Sequence, residues 1–171
     1  MIRIRVNRTY TFENIQNLLD INTGDFVILE FENTLSLNSH IVDRLMALRG
    51  ANRLQIRIIG GYDDERINNY SHYRDRFLND NTYTLSEMKK IYFELEEIER
   101  GINPNWDELQ KLIYFISYLK NKIIYHPFFE TAPSKDIRSL TGLFSGKTVC
   151  AGFALILKEL CDRNGIYCQY V

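Results

Sequence analysis

Between Ile2 and Ile59 the apolar positions switch between two rhythms. Ile2, Ile4 and Val6 alternate with basic residues, the spacing of a half-buried strand. Phe12, Ile15, Leu18 and Leu19 then recur at helical spacing behind Thr11, a residue type that caps helix starts. The run DFVILEFE, bounded ahead by Thr23-Gly24, reads as a second strand. In HIVDRLMALRG, Ile41, Leu45 and Leu48 share one helical face, and Gly50 is expected to end that helix. LQIRIIGG is a third strand, stopped at Gly60-Gly61. Strand–helix–strand–helix–strand with short connections predicts a small α/β module whose sheet is mainly parallel, with right-handed crossovers.

The stretch YDDERINNYSHYRDRFLNDN breaks both rhythms and reads as a polar surface connection. It divides the chain near residue 80, into a module over 1–80 and a second domain over 81–171. Beyond it, Thr84-Leu85-Ser86-Glu87 has the form of a capping box. Leu85, Met88, Ile91, Tyr92, Leu95 and Ile98 follow as one stripe, with Glu94, Glu96, Glu97 and Glu99 facing water. GINPN breaks that helix, and Asn105 with Glu108 is expected to cap the next. Trp106, Leu109, Leu112, Ile113, Ile116, Leu119 and Ile123 leave the next helix apolar around much of its girth, which predicts a central, largely buried element. HPFFETAPSKDIRS reads as a loop. The whole is predicted to be α+β: a βαβαβ module followed by a largely helical part.

Composition narrows the function classes. Hydrophobic residues make up 45% and charged residues 25% of 171, the balance of a chain that buries a core. The formal charge of −1 gives no overall attraction to nucleic acid or to an anionic membrane, so neither is expected as a partner. MIRIRVNRTY lacks the apolar run of a signal peptide, and no segment approaches the roughly 20 apolar residues of a membrane span. The expected location is the cytoplasm, or outside the cell as an exported bacterial effector without a classical signal. Three cysteines crowded into the last part of the chain do not resemble a disulfide framework. Cys161 and Cys168 have no neighbouring histidine in the sequence, so no zinc site and no cofactor is expected.

The chemistry concentrates at Cys150. From there Phe153, Ala154, Leu157, Leu160 and Cys161 fall at helical spacing, with Lys158, Glu159, Asp162 and Arg163 opposite. Asn164-Gly165 ends the helix and IYCQYV begins a strand. Cys150 therefore belongs to a helix's first turn, on the side of the buried stripe. The unpaired N–H groups and positive dipole end of a helix start favour a thiolate, the working form of a cysteine nucleophile. The same N–H groups can hold the oxyanion formed when that thiolate attacks a carbonyl. A buried helix-start cysteine is also common as an inert small hydrophobe.

GKTVCAGFALILKELCDRNGIYCQYV resembles the nucleophile segment of the transglutaminase-like superfamily. Its general form is G-x-x-V-C-x-G-[YF]-A, an apolar helix, then G-I-x-C and a strand. Gly146, Val149, Cys150, Gly152, Phe153, Ala154, Leu160, Gly165, Ile166, Cys168 and Val171 carry the match. The helix ending in YLKNKIIYHPFF is similar to the one that precedes the nucleophile in these proteins, with Tyr125-His126 where members often have Tyr-Asp. The likeness extends over residues 84–171. It implies a papain-like α+β fold with Cys150 as nucleophile, attacking a carboxamide or peptide carbonyl of a protein or peptide substrate. The thioester would pass its acyl group to water or an amine, in a protease, deamidase or transamidase. Cys161 and Cys168 match structural positions and are expected in the core.

In that superfamily the histidine and aspartate lie downstream of the cysteine. They are therefore expected beyond Val171, in a longer protein of which this chain is a part, and the chain alone is expected to be inactive. Among upstream histidines, His40 opens a helix, His72 lies in the polar connection, and His126 is the candidate whose loop leads toward Cys150. A permuted hydrolase using His126 is one alternative; a noncatalytic binding protein on a degenerate scaffold of the same type is another.

Overall fold

In the computed structural model, residues 1–7, 9–60, 79–126, 135 and 138–169 are described. The first rhythm forms β1 (Ile2–Arg5), β2 (Val27–Phe31) and β3 (Leu54–Ile58), all parallel, in the spatial order of the chain. Ile4, Leu29 and Ile56 stand side by side in register, and Arg5, Glu30 and Arg57 form the adjacent row. Alternation thus places these two rows on opposite faces of one sheet, with buried Ile28 the apolar member on the charged face. Between the strands run α1 (Phe12–Ile21) and α2 (Ser39–Met46). Their Ile15, Leu19, Val42 and Leu45 are buried along with Val27, Leu29, Leu54 and Ile56. The predicted βαβαβ module is present.

Two details differ from the sequence reading. A fourth strand, β4 (Thr82–Thr84), pairs antiparallel with β3, which makes the sheet mixed. On the charged row, buried Arg57 sits 3.9 Å from the Glu30 carboxylate and donates from Nε to Thr82 Oγ1 at 2.8 Å. Gly50, expected to end α2, instead opens a short 3₁₀ turn at φ 77°, while α2 itself ends at Ala47. Gly60 is required for space: a Cβ there would lie 2.1 Å from the Glu32 carbonyl oxygen.

The chain divides into two compact units, Met1–Lys89 and Lys90–Val171. The division falls within α3 (Leu85–Arg100), whose Glu87 N–H is capped by Thr84 Oγ1 at 3.1 Å. Its stripe from Leu85 through Ile98 is buried as the spacing requires. The glutamates do not all face water. Glu94 binds Lys122, and Glu99 takes Arg163 Nη2 at 3.2 Å. After Gly101, packed under the Tyr114 hydroxyl, α4 runs Glu108–Lys122. Its cap is Asp107, which forms a capping box with Gln110; Asn105 instead makes a turn with Asn103. Nor is α4 fully buried. Phe115 and Leu119 are inside, whereas Leu109, Ile113 and Ile116 are 63%, 56% and 48% exposed.

Two short strands follow in the second unit, β5 (Ile124–Tyr125) and β6 (Lys147–Thr148), paired parallel. The four-residue α5 (Gly142–Ser145) leads into β6 through Gly146 at φ 76°, and α6 (Cys150–Arg163) leaves it. Residues 166–169, expected to start a strand, have no ladder partner among the described residues. The described chain is therefore α+β, with six helices and a small mixed sheet. Among the described residues, no helix is long and apolar enough to cross a membrane. Most of the polar connection, including His72, and most of HPFFETAPSKDIRS lie outside the described residues.

Candidate active site

Cys150 is the first residue of α6, and the helix ends at Asn164, as its pattern predicts. The start is built by β6. Thr148 is held in the ladder, and Val149 continues in extended conformation (φ −105°, ψ 178°) before the chain turns helical at Cys150. Val149 is buried and offers no side-chain oxygen, so among the described residues no side chain caps α6. The first-turn N–H groups are left without the cap partner that Ser, Thr, Asp or Asn would supply.

The thiol itself is exposed, which corrects the expectation that it faces the core. α6 carries apolar residues on two sides. Gly152, Leu155, Ile156, Leu160 and Cys161 are buried, and this is the packing face. Cys150 instead heads the row Phe153, Ala154, Leu157, at the i, i+3, i+4, i+7 spacing of one helical face. Phe153, Ala154 and Leu157 wall a groove of about 650 Å³, completed by Ile116, Leu119 and Ile123 with Ile124 and Tyr125, while Cys150 stands one turn before it and outside its lining. Lys120 stands at its lining as the cationic member. A concavity of this size and apolarity suits a small ligand or the side chains of an extended peptide.

The far end of α6 is tied down by residues that the sequence reading placed on its outer face. Arg163 reaches Glu99 and lies over the Tyr92 ring at 5.5 Å from the centroid. Burial holds the Tyr92 hydroxyl's pKa well above its ordinary value, so the ring stays neutral. Lys158 binds Asp162 at 2.8 Å, and Glu159 is buried. These contacts fix the axis on which Cys150 is mounted. Their signal was visible only as charge, since a salt-bridged residue and a solvated one look alike in sequence.

The other cysteines differ. Cys161 is 1% exposed, and its thiol is pushed up to about 12, first by burial and then by the neighbouring Cys168. Almost none of it is thiolate near neutrality, and it is a poor nucleophile. Cys168 is half-buried, not fully in the core.

Of the histidines, the exposed His40 is the second residue of α2, in the first unit. His126 follows β5 directly, and its N–H donates to the Thr148 carbonyl at 2.7 Å. Continuing the register sets it beside Val149, one strand spacing of about 4.8 Å from the segment that enters Cys150. The ladder thus brings His126 to the end of α6 that carries the thiol. This link was not legible from the chain, because β5 and β6 are two residues each.

A second crevice, of about 510 Å³, opens beyond the carboxyl ends of β1 and β2. Its lining includes Phe12, Ile15, Phe31 and Glu32 but, among the described residues, no cysteine or histidine. No family model, curated protein or solved structure matches this chain.

Proposed function

We propose that Cys150 is the nucleophile of a cysteine enzyme of transglutaminase-like type, acting on a carboxamide or peptide bond. The observation that carries this reading is an exposed thiol on a helix start that its N-cap residue leaves uncapped, one turn before the residues that wall an apolar groove. In the proposed reaction the Cys150 thiolate attacks the acyl carbonyl, and the first-turn N–H groups of α6 hold the oxyanion. The amine leaves with a proton, and the resulting thioester passes its acyl group to water or to a second amine. The groove holds apolar groups flanking the reacting carbonyl. By the resemblance, a histidine and an aspartate supply the general base and its orienting carboxylate.

A second reading takes His126 as the base, favoured by its hydrogen bond to the strand entering Cys150. One experiment separates these readings from a noncatalytic binder. An activated ester, p-nitrophenyl acetate, and an unactivated carboxamide peptide are offered to the chain and to its Cys150→Ala and His126→Ala variants. The ester is expected to acylate Cys150 faster than it acylates free cysteine, because thiol and oxyanion site suffice for a good leaving group. Carboxamide turnover needs proton transfer as well, which typically contributes about 10²–10⁴-fold. Its loss on His126→Ala, with ester acylation kept, selects the second reading. Ester acylation no faster than free cysteine, or turnover that survives Cys150→Ala, overturns the nucleophile assignment.

A further inference from the structure

We propose that Cys161 and Cys168 are a modification site: they form a reversible disulfide by thiol–disulfide exchange with a small disulfide such as oxidised glutathione. The geometry comes from the way α6 ends. Gly165 adopts φ 70°, Ile166 N–H donates to the Cys161 carbonyl at 2.9 Å, and Gly165 N–H to Asp162 at 3.4 Å. These are the paired bonds of a Schellman motif, which turns the chain back along the helix it has left. The next residues then alternate: Ile166 is 8% exposed, Tyr167 83%, and Cys168 is half-buried. Ile166 and Cys168 therefore face the helix while Tyr167 faces away. Lys158 Nζ reaches back from the preceding turn to the Cys168 carbonyl at 3.4 Å. Cys161 occupies the last full turn of the same helix, three residues after Lys158 and so on the side from which Lys158 reaches Cys168, and Cys168 is near enough to add to the upward push that burial gives its thiol.

The two thiols are chemically unequal. Cys168 is the accessible one and makes the first attack, displacing one glutathione and leaving a mixed disulfide on its own sulfur. Cys161, kept protonated by burial, must lose its proton to attack that sulfur and release the second glutathione. The balance is two protein thiols and one small disulfide giving one protein disulfide and two small thiols. The buried second step is the slow one, so the mixed disulfide accumulates at Cys168 before the bridge closes.

The test uses the native chain and a Cys150→Ser chain, each treated with oxidised glutathione and mapped without reduction. Trypsin cuts after Lys158 and Arg163, which leaves the two cysteines on separate peptides, ELCDR and NGIYCQYV. The expected result is a transient glutathione adduct on NGIYCQYV, followed by the two peptides linked, lighter by two hydrogen atoms. Both chains should give it, and dithiothreitol should reverse it. In Cys161→Ala the adduct on Cys168 should persist, with circular dichroism verifying the fold. A stable adduct on Cys168 in the native chain, a bridge that forms only in urea, or a bridge to Cys150 overturns the proposal.

Discussion

Helices α1 and α6 begin in opposite ways. At α1, Thr11 Oγ1 accepts from Asn14 N–H at 3.2 Å, while Asn14 Oδ1 accepts from Thr11 N–H at 3.0 Å. Both partners lie within one turn, and the start is closed. At α6 the corresponding residue is Val149, which contributes packing to the core and nothing to the N–H groups. A missing cap costs about 1 kcal/mol. The difference separates a helix start closed by its own cap residue from one whose cap residue supplies no acceptor beside a thiol. α4 belongs with α1, through Asp107 and Gln110.

The largest expected effect contrasts the two ends of α6. Iodoacetamide at pH 8 should label Cys150 at least about 10³-fold faster than Cys161, since a thiol with a pKa near 12 is roughly one part in 10⁴ thiolate there. The sign follows from the raised value: Cys161 labelling should rise tenfold with each pH unit and level off only near pH 12. Timed mass spectrometry of the folded chain checks this, and comparable rates at pH 8 would erase the contrast.

A smaller effect tests the closed starts. Thr11→Ala and Asp107→Ala should each destabilise by about 1 kcal/mol in urea unfolding, with Cys150 labelling unchanged. A loss of labelling in either variant would mean that the start of α6 depends on distant caps. The smallest effect comes from closing α6 itself. Val149→Thr keeps the shape of the side chain, and the capping gain of its hydroxyl offsets the cost of burying it, so stability should shift by less than about 1 kcal/mol. Acylation by p-nitrophenyl acetate should nevertheless slow, because the new hydroxyl competes for the oxyanion's donors. Unchanged acylation would show that those donors take no part.

The sequence made long elements legible and short ones not. IRIRV, VILEF and LQIRI each span enough residues to read as strands, by alternation in IRIRV and by a continuous apolar run in VILEF. β4, β5 and β6 hold two or three residues, too few for a period, and each depends on a partner distant in the chain. The cap of α4 was misplaced by two residues because Asn105 and Asp107 are both capping types followed three residues later by a polar side chain; only backbone geometry chooses. The position of Cys150 could be read from Gly146 and the helical stripe, but its facing could not. With Phe153 and Leu157 on one side and Leu155, Ile156 and Leu160 on the other, apolarity marks two faces and does not rank them. The same ambiguity made α4 look central although Ile113 and Ile116 are open to solvent.

The sheet's strand order has a consequence for synthesis. Because β1, β2 and β3 lie side by side in the order they are made, β2 can add to β1, and β3 to β2, as each leaves the ribosome. β3 then waits with a bare edge while roughly 23 more residues emerge before β4, about 1–5 s at typical elongation rates. During that interval Gln55 and Arg57, polar residues midway along β3, stand where another nascent chain would otherwise add a strand. The arginine that ends up buried against Thr82 can thus protect the unfinished sheet first and pin the finished one afterwards.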